Sequence, residues 1–390
     1  MRGSFNIGRI LGIQIGINYT WIFALVLFSW LFARGTFPAL FPGWSLSAYW
    51  ISGIVMSVML FVSVLIHEIC HSLVARSRGM KVNSIVLFIF GGVSNIQGEP
   101  ERPWVEFIMA GAGPASSLIL GGVFALITYL VRLSGQTDTP LLAILFYLAY
   151  INVLLAIFNI IPGFPMDGGR VLRSIIWGAT HSLHTATMIA GNLGRFFGWA
   201  FILFGVANFF GIPAGFSNPI NGVWAILVGW FLLHAADSSL RELSLQEHLE
   251  GKHVKELMDR TPECVNPDTF IETILHGSFI QRGRKALPVC NDSGLLGIVT
   301  LSDVKKIPRD AWSNTPVQTI MTPGDKLLTV NQDDDLNAAL SIMAENGLNQ
   351  MPVTGDGRLV GLLTRADVLG YLHTRHELGI NKHPRPTISA

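Results

Sequence analysis

Long apolar runs fill residues 1–236, whereas beyond them apolar and polar positions alternate over short distances. The pattern predicts a membrane-embedded part followed by a water-soluble one. Breaks at proline, glycine and charge divide the first part into six candidate transmembrane helices at about 18–34, 48–76, 104–131, 141–161, 186–209 and 220–236. Each is near or above the ~18 apolar residues that cross a bilayer. The run over residues 18–33 is read as a retained first span, because no cleavable small-residue site follows it. Between the second and third spans, residues 82–97 read VNSIVLFIFGGVSNIQ. This segment is too short to cross as a helix. Its β-prone residues around Gly91 and Gly92 predict a hairpin dipping into the protein, with unpaired strand edges.

Charge sharpens the division. Residues 1–236 hold 11 Lys/Arg and 6 Asp/Glu, against 16 and 20 in residues 237–390. With 50% hydrophobic residues and a mean hydropathy of +0.46, a disordered, collagenous or wholly soluble protein is excluded. The basic residues form no long cluster and the tail is net negative, so nucleic-acid binding is not expected. Six spans put both termini on one side. The short loops of that side carry Arg2, Arg9, Arg76, Arg78, Lys81, Arg102, Arg170 and Arg173, against Arg34 and Arg132 on the other. A multi-pass protein of the cell membrane with cytosolic termini is therefore predicted. Cys70, Cys264 and Cys290 are too few and scattered for a disulfide framework or a thiolate cluster, which fits a reducing compartment around the tail.

The candidate chemistry lies at the end of the second span, in SVLIHEICHSLVARSRG. His67 and His71 are four residues apart on one helix face, so both imidazoles can reach one Zn²⁺. Glu68, one step round, can take a proton from water rather than ligate the metal. In an apolar helix these three groups need a metal or a water cavity to satisfy them. Cys70 faces elsewhere and reads as a packing residue. A catalytic zinc takes a third protein ligand, and Asp167 is the candidate, in FNIIPGFPMDGGR after the fourth span on the same side as His67. Pro162 and Pro165 end that helix, and Gly168 and Gly169 allow a tight path back; an ordinary turn aspartate is the alternative. Asn159 and Asn152 share one face of the fourth span, Asn159 read as a catalytic amide and Asn152 as a helix-packing one. Gly111, Gly113, Gly121 and Gly122 are read as helix-packing positions in the third span. Arg195 inside the fifth is either functional or snorkelling.

These residues resemble the site-2 proteases, intramembrane zinc metalloproteases that cut membrane-spanning segments. The resemblance covers about residues 5–236. It rests on His67-Glu68-x-x-His71 in a membrane helix, Phe90-Gly91-Gly92 in the hairpin, Gly113-Pro114 in the next span, and Asn159-x-x-Pro162-x-x-x-x-Asp167-Gly168-Gly169. It implies one zinc per chain on His67, His71 and Asp167, with Glu68 as general base and Asn159 contacting substrate or intermediate. It further implies that the hairpin at Phe90, Gly91 and Gly92 pairs with an unwound segment of a membrane-spanning substrate in regulated intramembrane proteolysis. Many relatives have an asparagine three residues after Gly113-Pro114, where this chain has Ser117.

The tail contains a repeat: LPVCNDSGLLGIVTLSDV from Leu287 and MPVTGDGRLVGLLTRADV from Met351 agree at eight of eighteen positions. Each copy reads as strand, helix, strand, strand, helix. The copies resemble a tandem of CBS domains over about 253–310 and 316–374, after a linker at 237–252 and before a flexible tail at 375–390. That likeness implies an adenine nucleotide (ATP, ADP or AMP), with Asp303 and Asp367 on the ribose and Thr300 and Thr364 near the phosphates, and a homodimer through the CBS pair. A dimerising pair without ligand is the alternative. The expected fold is a polytopic α-helical membrane protein of six transmembrane helices with a membrane-associated β-hairpin, plus a cytosolic α/β CBS module. A nucleotide-gated transporter or channel is the rival reading. It has no need of Glu68 beside two zinc-ligand histidines.

Overall fold

The computed structural model describes residues 4–89, 91–135, 139–211, 219–249, 251–292, 294–355 and 358–378. They fall into two compact units, Met1–Leu243 and Ser244–Ala390.

The first unit opens with two strands, β1 (Ser4–Ile10) and β2 (Ile13–Asn18), joined at Leu11 and Gly12, both at positive φ. β2 alternates Ile13, Ile15 and Ile17 with Gln14, Gly16 and Asn18, and buries Ile13 and Ile15 against Ile85. It runs parallel to β3 (Val82–Phe88), which pairs antiparallel with β4 (Gly91–Ile96), giving the order β1-β2-β3-β4. The expected hairpin is thus present, but the expectation that its edges are unpaired is corrected. The N-terminal strands satisfy β3, and β4 remains an edge. Phe90, between β3 and β4, lies outside the described residues.

Among the described residues six helices are long and apolar enough to cross a membrane, as expected. α1 (Tyr19–Leu31) is capped by Asn18, whose side chain accepts from Thr20 N, and continues through a π-helical turn, Phe32–Thr36, into Phe37–Leu40. The first span is therefore longer than the pattern suggested. α2 (Leu46–Ser77), α3 (Pro103–Leu133) and α4 (Pro140–Ile160) follow. α5 (Asp167–Thr180), unforeseen in the sequence, is a shorter amphipathic helix outside the six spans. α6 (Leu183–Phe209) and α7 (Pro219–Leu249) complete the unit's helices. Large apolar side chains such as Ile22, Phe23 and Val26 on α1, and Leu118, Ile119 and Leu126 on α3, point outward. In a polytopic chain that surface is the one lipid solvates.

Small residues bring α6 and α7 together. A Cβ on Gly205 would stand 2.6 Å from Gly222 O, and one on Gly198 would stand 3.1 Å from Gly229 O. The glycines recur every seventh residue on both helices, so the backbones touch along a seam. Arg195 Nε donates to Asp237 Oδ1 at 2.6 Å across the same pair, which gives the intramembrane arginine a charged partner.

The second unit holds two three-stranded sheets. One has the order β5 (Ala286–Asn291), β6 (Gly294–Thr300), β7 (Thr322–Pro323). The other runs β10 (Arg358–Thr364), β9 (Gln350–Gly355), β8 (Val330–Asn331). Equivalent positions are buried in both: Leu287, Val289 and Val299 in one core, Met351, Val353 and Leu363 in the other. A disulfide joins Cys264 to Cys290, a pairing the sequence reading did not anticipate.

Candidate active site

His67 and His71, one turn apart on α2, are both buried among helices. Their Nε2 atoms lie 3.2 Å from each other and 3.0 and 3.2 Å from Asp167 Oδ2. Asp167 is the first residue of α5, and the two glycines after it explain how the helix start reaches α2. A Cβ on Gly168 would come 2.5 Å from Ile161 O, and one on Gly169 2.6 Å from Phe164 N. Only a chain without side chains there can fold back so closely on the end of α4.

The other ring nitrogens are also held. His71 Nδ1 donates to Met109 O at 2.7 Å, and His67 Nδ1 lies 2.9 Å from Ser117 Oγ. A carbonyl oxygen only accepts, so His71 carries its proton on Nδ1 and, when neutral, directs a lone pair from Nε2 at the Asp167 carboxylate. A second imidazole nitrogen and a carboxylate oxygen crowd the same point. All three ligand atoms lie within 4.8 Å of one another, so one cation among them would satisfy all three at once. Two imidazoles and one carboxylate are a donor set that suits zinc with a position left open. Gly113 completes the fit: a Cβ there would stand 2.5 Å from His67 Nε2 and overlap His71 Nε2. The expectation that Gly113 merely packs helices is therefore corrected. Gly121, which faces Val153 and Ala149 of α4, does pack helices.

Glu68 is half-buried, and its Oε2 accepts from Ser94 Oγ of β4 at 2.7 Å. Gly92 lies against its methylenes, where a Cβ would be 2.5 Å from Glu68 Cγ, and Gly91 opens the strand at φ +140. Asn159 sits on α4 with its amide donating to Leu155 O of the same helix at 3.0 Å. No described hydrogen bond joins it to His67, His71 or Asp167. Asn152 donates to Ser63 Oγ on α2 at 3.1 Å, a bond between helices. Ser117 finds a role in the bond to His67.

Sequence reasoning missed a buried ion pair beside this centre. Arg173 on α5 donates from Nε to Glu106 Oε1 on α3 at 2.7 Å and bonds it again through Nη2, with its guanidinium over the Phe164 ring. The pair ties the helix that begins with Asp167 to the helix that carries Gly113. Arg173 counted toward the charge bias, but nothing in the spacing of the two residues linked them.

In the tail, Thr300 and Asp303 form a reciprocal cap at the start of the short helix Leu301–Val304. Thr364 and Asp367 do the same for Arg365–Glu377. Burial pushes the Asp303 carboxyl up, but hydrogen bonds from Thr300 and Lys306 outweigh it and hold the group below the usual carboxylate range.

The chain matches Peptidase family M50 over residues 55–139 and 130–205, and the CBS domain over 254–310 and 317–374. It is 34% identical over 96% of its length, and 97% of the relative's, to the Synechocystis sp. protein sll0528, whose name marks it as a candidate zinc metalloprotease. It is 28% identical over 95% of its length, and 96% of the relative's, to zinc metalloprotease MJ0392 of Methanocaldococcus jannaschii. The solved site-2 protease of the same archaeon is 30% identical, with 61% of this chain and 95% of that one covered and a TM-score of 0.42. The family match and the two curated relatives favour the protease over the transporter. The chain belongs to peptidase family M50, the site-2 proteases, and is a multi-pass intramembrane zinc metalloprotease that carries a tandem of CBS domains.

Proposed function

We propose that His67, His71 and Asp167 hold one zinc per chain, that Glu68 is the general base, and that the substrate is a membrane-spanning protein segment presented in extended form beside β4. The observation that carries this reading is the convergence of the three ligand atoms, with Glu68 adjacent on the same helix. Zinc bound there supplies polarisation of a peptide carbonyl and makes water a stronger acid. Met109 O and Ser117 hold the imidazoles with Nε2 turned inward, so little reorganisation accompanies binding. Glu68 accepts a proton from the attacking water and returns it to the leaving amine. Asn159 supplies an amide for the scissile carbonyl or the developing oxyanion. A transmembrane helix satisfies its own backbone, so the substrate must unwind before it can pair with an edge strand. Gly91 and Gly92 open β4, where that pairing begins, and the family resemblance adds Phe90 to the contact.

The protease domain is assigned to residues 1–236, the linker to 237–252, and the CBS domains to 253–310 and 316–374. The bias of basic residues supports cytosolic termini and a cytosolic CBS pair, in a homodimer formed through that pair. An adenine nucleotide on Asp303 and Asp367, with Thr300 and Thr364 near its phosphates, regulates cleavage. The deciding experiment compares full-length protein with Glu68→Gln in vesicles containing a panel of single-span reporters. Glu68→Gln should keep its zinc and slow cleavage about 100-fold or more. Undiminished cleavage would refute the assignment of Glu68.

A further inference from the structure

Glu68 is held by more than its own helix. Ser72 lies one turn further along α2 on the same face, fully buried, and its hydroxyl donates to Ser94 Oγ at 3.2 Å. Ser94 in turn donates to Glu68 Oε2 at 2.7 Å. Because Ser72 occupies a lone pair of Ser94, the Ser94 proton is left to point at the carboxylate. Ser94 belongs to β4, where alternation puts Gly92 on the same face, and Gly92 is the residue against which the Glu68 methylenes lie. One strand therefore both makes room for the stem of Glu68 and fixes its head. Among the described residues that strand is the open edge of the sheet, paired with β3 alone.

We propose that Ser94, oriented by Ser72, is a positioning residue for Glu68, and that it ties the carboxylate to the strand beside which the substrate is cut. The proposal rests on the reading of Glu68 as general base. A carboxylate at the end of two rotatable methylenes has several rotamers, and a short hydrogen bond from a strand selects one of them before substrate arrives. Pairing of an extended segment with β4 would then fix the scissile carbonyl and Glu68 from the same piece of backbone. A serine that only packed the strand would affect how substrate binds. One that aims Glu68 affects turnover.

The test uses full-length protein in phosphatidylethanolamine and phosphatidylglycerol vesicles, with the single-span reporter that wild type cuts fastest in a panel. Ser94→Ala should lower kcat about tenfold with KM within about twofold, the loss expected for one hydrogen bond to a charged group. Ser94→Thr, which keeps the hydroxyl, should recover kcat to within about threefold, and Ser72→Ala should give a smaller loss in the same parameter. Zinc content near one per chain in each variant excludes misfolding as the cause. Unchanged kcat in Ser94→Ala, a loss confined to KM, or failure of threonine to rescue would overturn the role of Ser94 while leaving Glu68 as base. Wild-type turnover by Glu68→Gln alone would overturn the base assignment and this proposal with it.

Discussion

Adding a single methyl group at Gly113 is the sharpest probe of the metal centre. The new Cβ would overlap His71 Nε2 and stand 2.5 Å from His67 Nε2. Ordinary carbon contacts begin near ~3.5 Å, so His67 alone must retreat by about 1 Å, against a tolerance of about 0.2 Å in a metal–ligand distance. The backbone itself does not suffer. Alanine is favoured over glycine in a helix by about 1 kcal/mol, which offsets only part of the cost of this overlap in the metal-free protein. The expected signature is a zinc affinity that falls about 100-fold or more, together with a modest loss of stability in the metal-free protein. Metal analysis after dialysis against a buffered zinc series, paired with thermal unfolding, measures both. Two neighbours on the same helix serve as controls. Gly111→Ala meets nothing within 4 Å and should leave zinc and stability alone. Gly121→Ala meets Val153 Cγ2 at 2.8 Å and should lower stability without loss of zinc affinity. Wild-type zinc affinity in Gly113→Ala would refute the arrangement of the two imidazoles around this glycine.

The buried pair of Glu106 and Arg173 should behave as one unit: Glu106→Leu or Arg173→Leu alone destabilises by roughly 3 kcal/mol, and the double replacement restores much of the loss, measured by unfolding of the full-length protein. Because the Asp303 carboxyl is held below its ordinary range, its contribution to stability is present above that range and lost as pH falls through the folded value; Thr300→Ala should flatten this acid dependence and cost about 1 kcal/mol at neutral pH. Calorimetry with ATP, ADP and AMP should give binding heat that Asp303→Ala with Asp367→Ala removes. Heat that persists in that double variant would refute the assigned ribose contacts.

Much of the architecture was legible because a bilayer leaves few options. A long apolar run must be a helix, so all six spans could be read from hydropathy, with ends displaced by a few residues where, as at residues 32–40, a π-helical turn carries the helix past an arginine. The repeat in the tail was equally plain, since matched residues bury at matched positions of the two cores. The missed elements are those whose signal competes with a stronger one. β2 does alternate, Ile-Gln-Ile-Gly-Ile-Asn, but it abuts an apolar span and was absorbed into the approach to it. α5 has a clear polar and apolar face, yet it begins with Asp-Gly-Gly, which reads as a turn and becomes a helix start only because α4 leaves no room for side chains at Gly168 and Gly169.

The same distinction explains what could be read of the site. His67, Glu68 and His71 stand out because ionisable groups are expensive in an apolar helix, and Asp167 because so few other carboxylates remained on that side. Their cost marks them individually. Partnership is different, since it depends on which segment lies opposite, and that is set by the path of the chain. Ser94 and Ser72 carry no signal of their own; they matter because β4 passes Glu68 at the height of one helical turn. Gly113 looks like any small residue of a helix seam until the two imidazoles are seen to fill the space its side chain lacks. Glu106 and Arg173 are 67 positions apart, yet in a low-dielectric interior each requires the other. A membrane sequence therefore reveals its ligands and its base more readily than the groups that aim them, because the former violate the solvent locally and the latter satisfy it only in three dimensions.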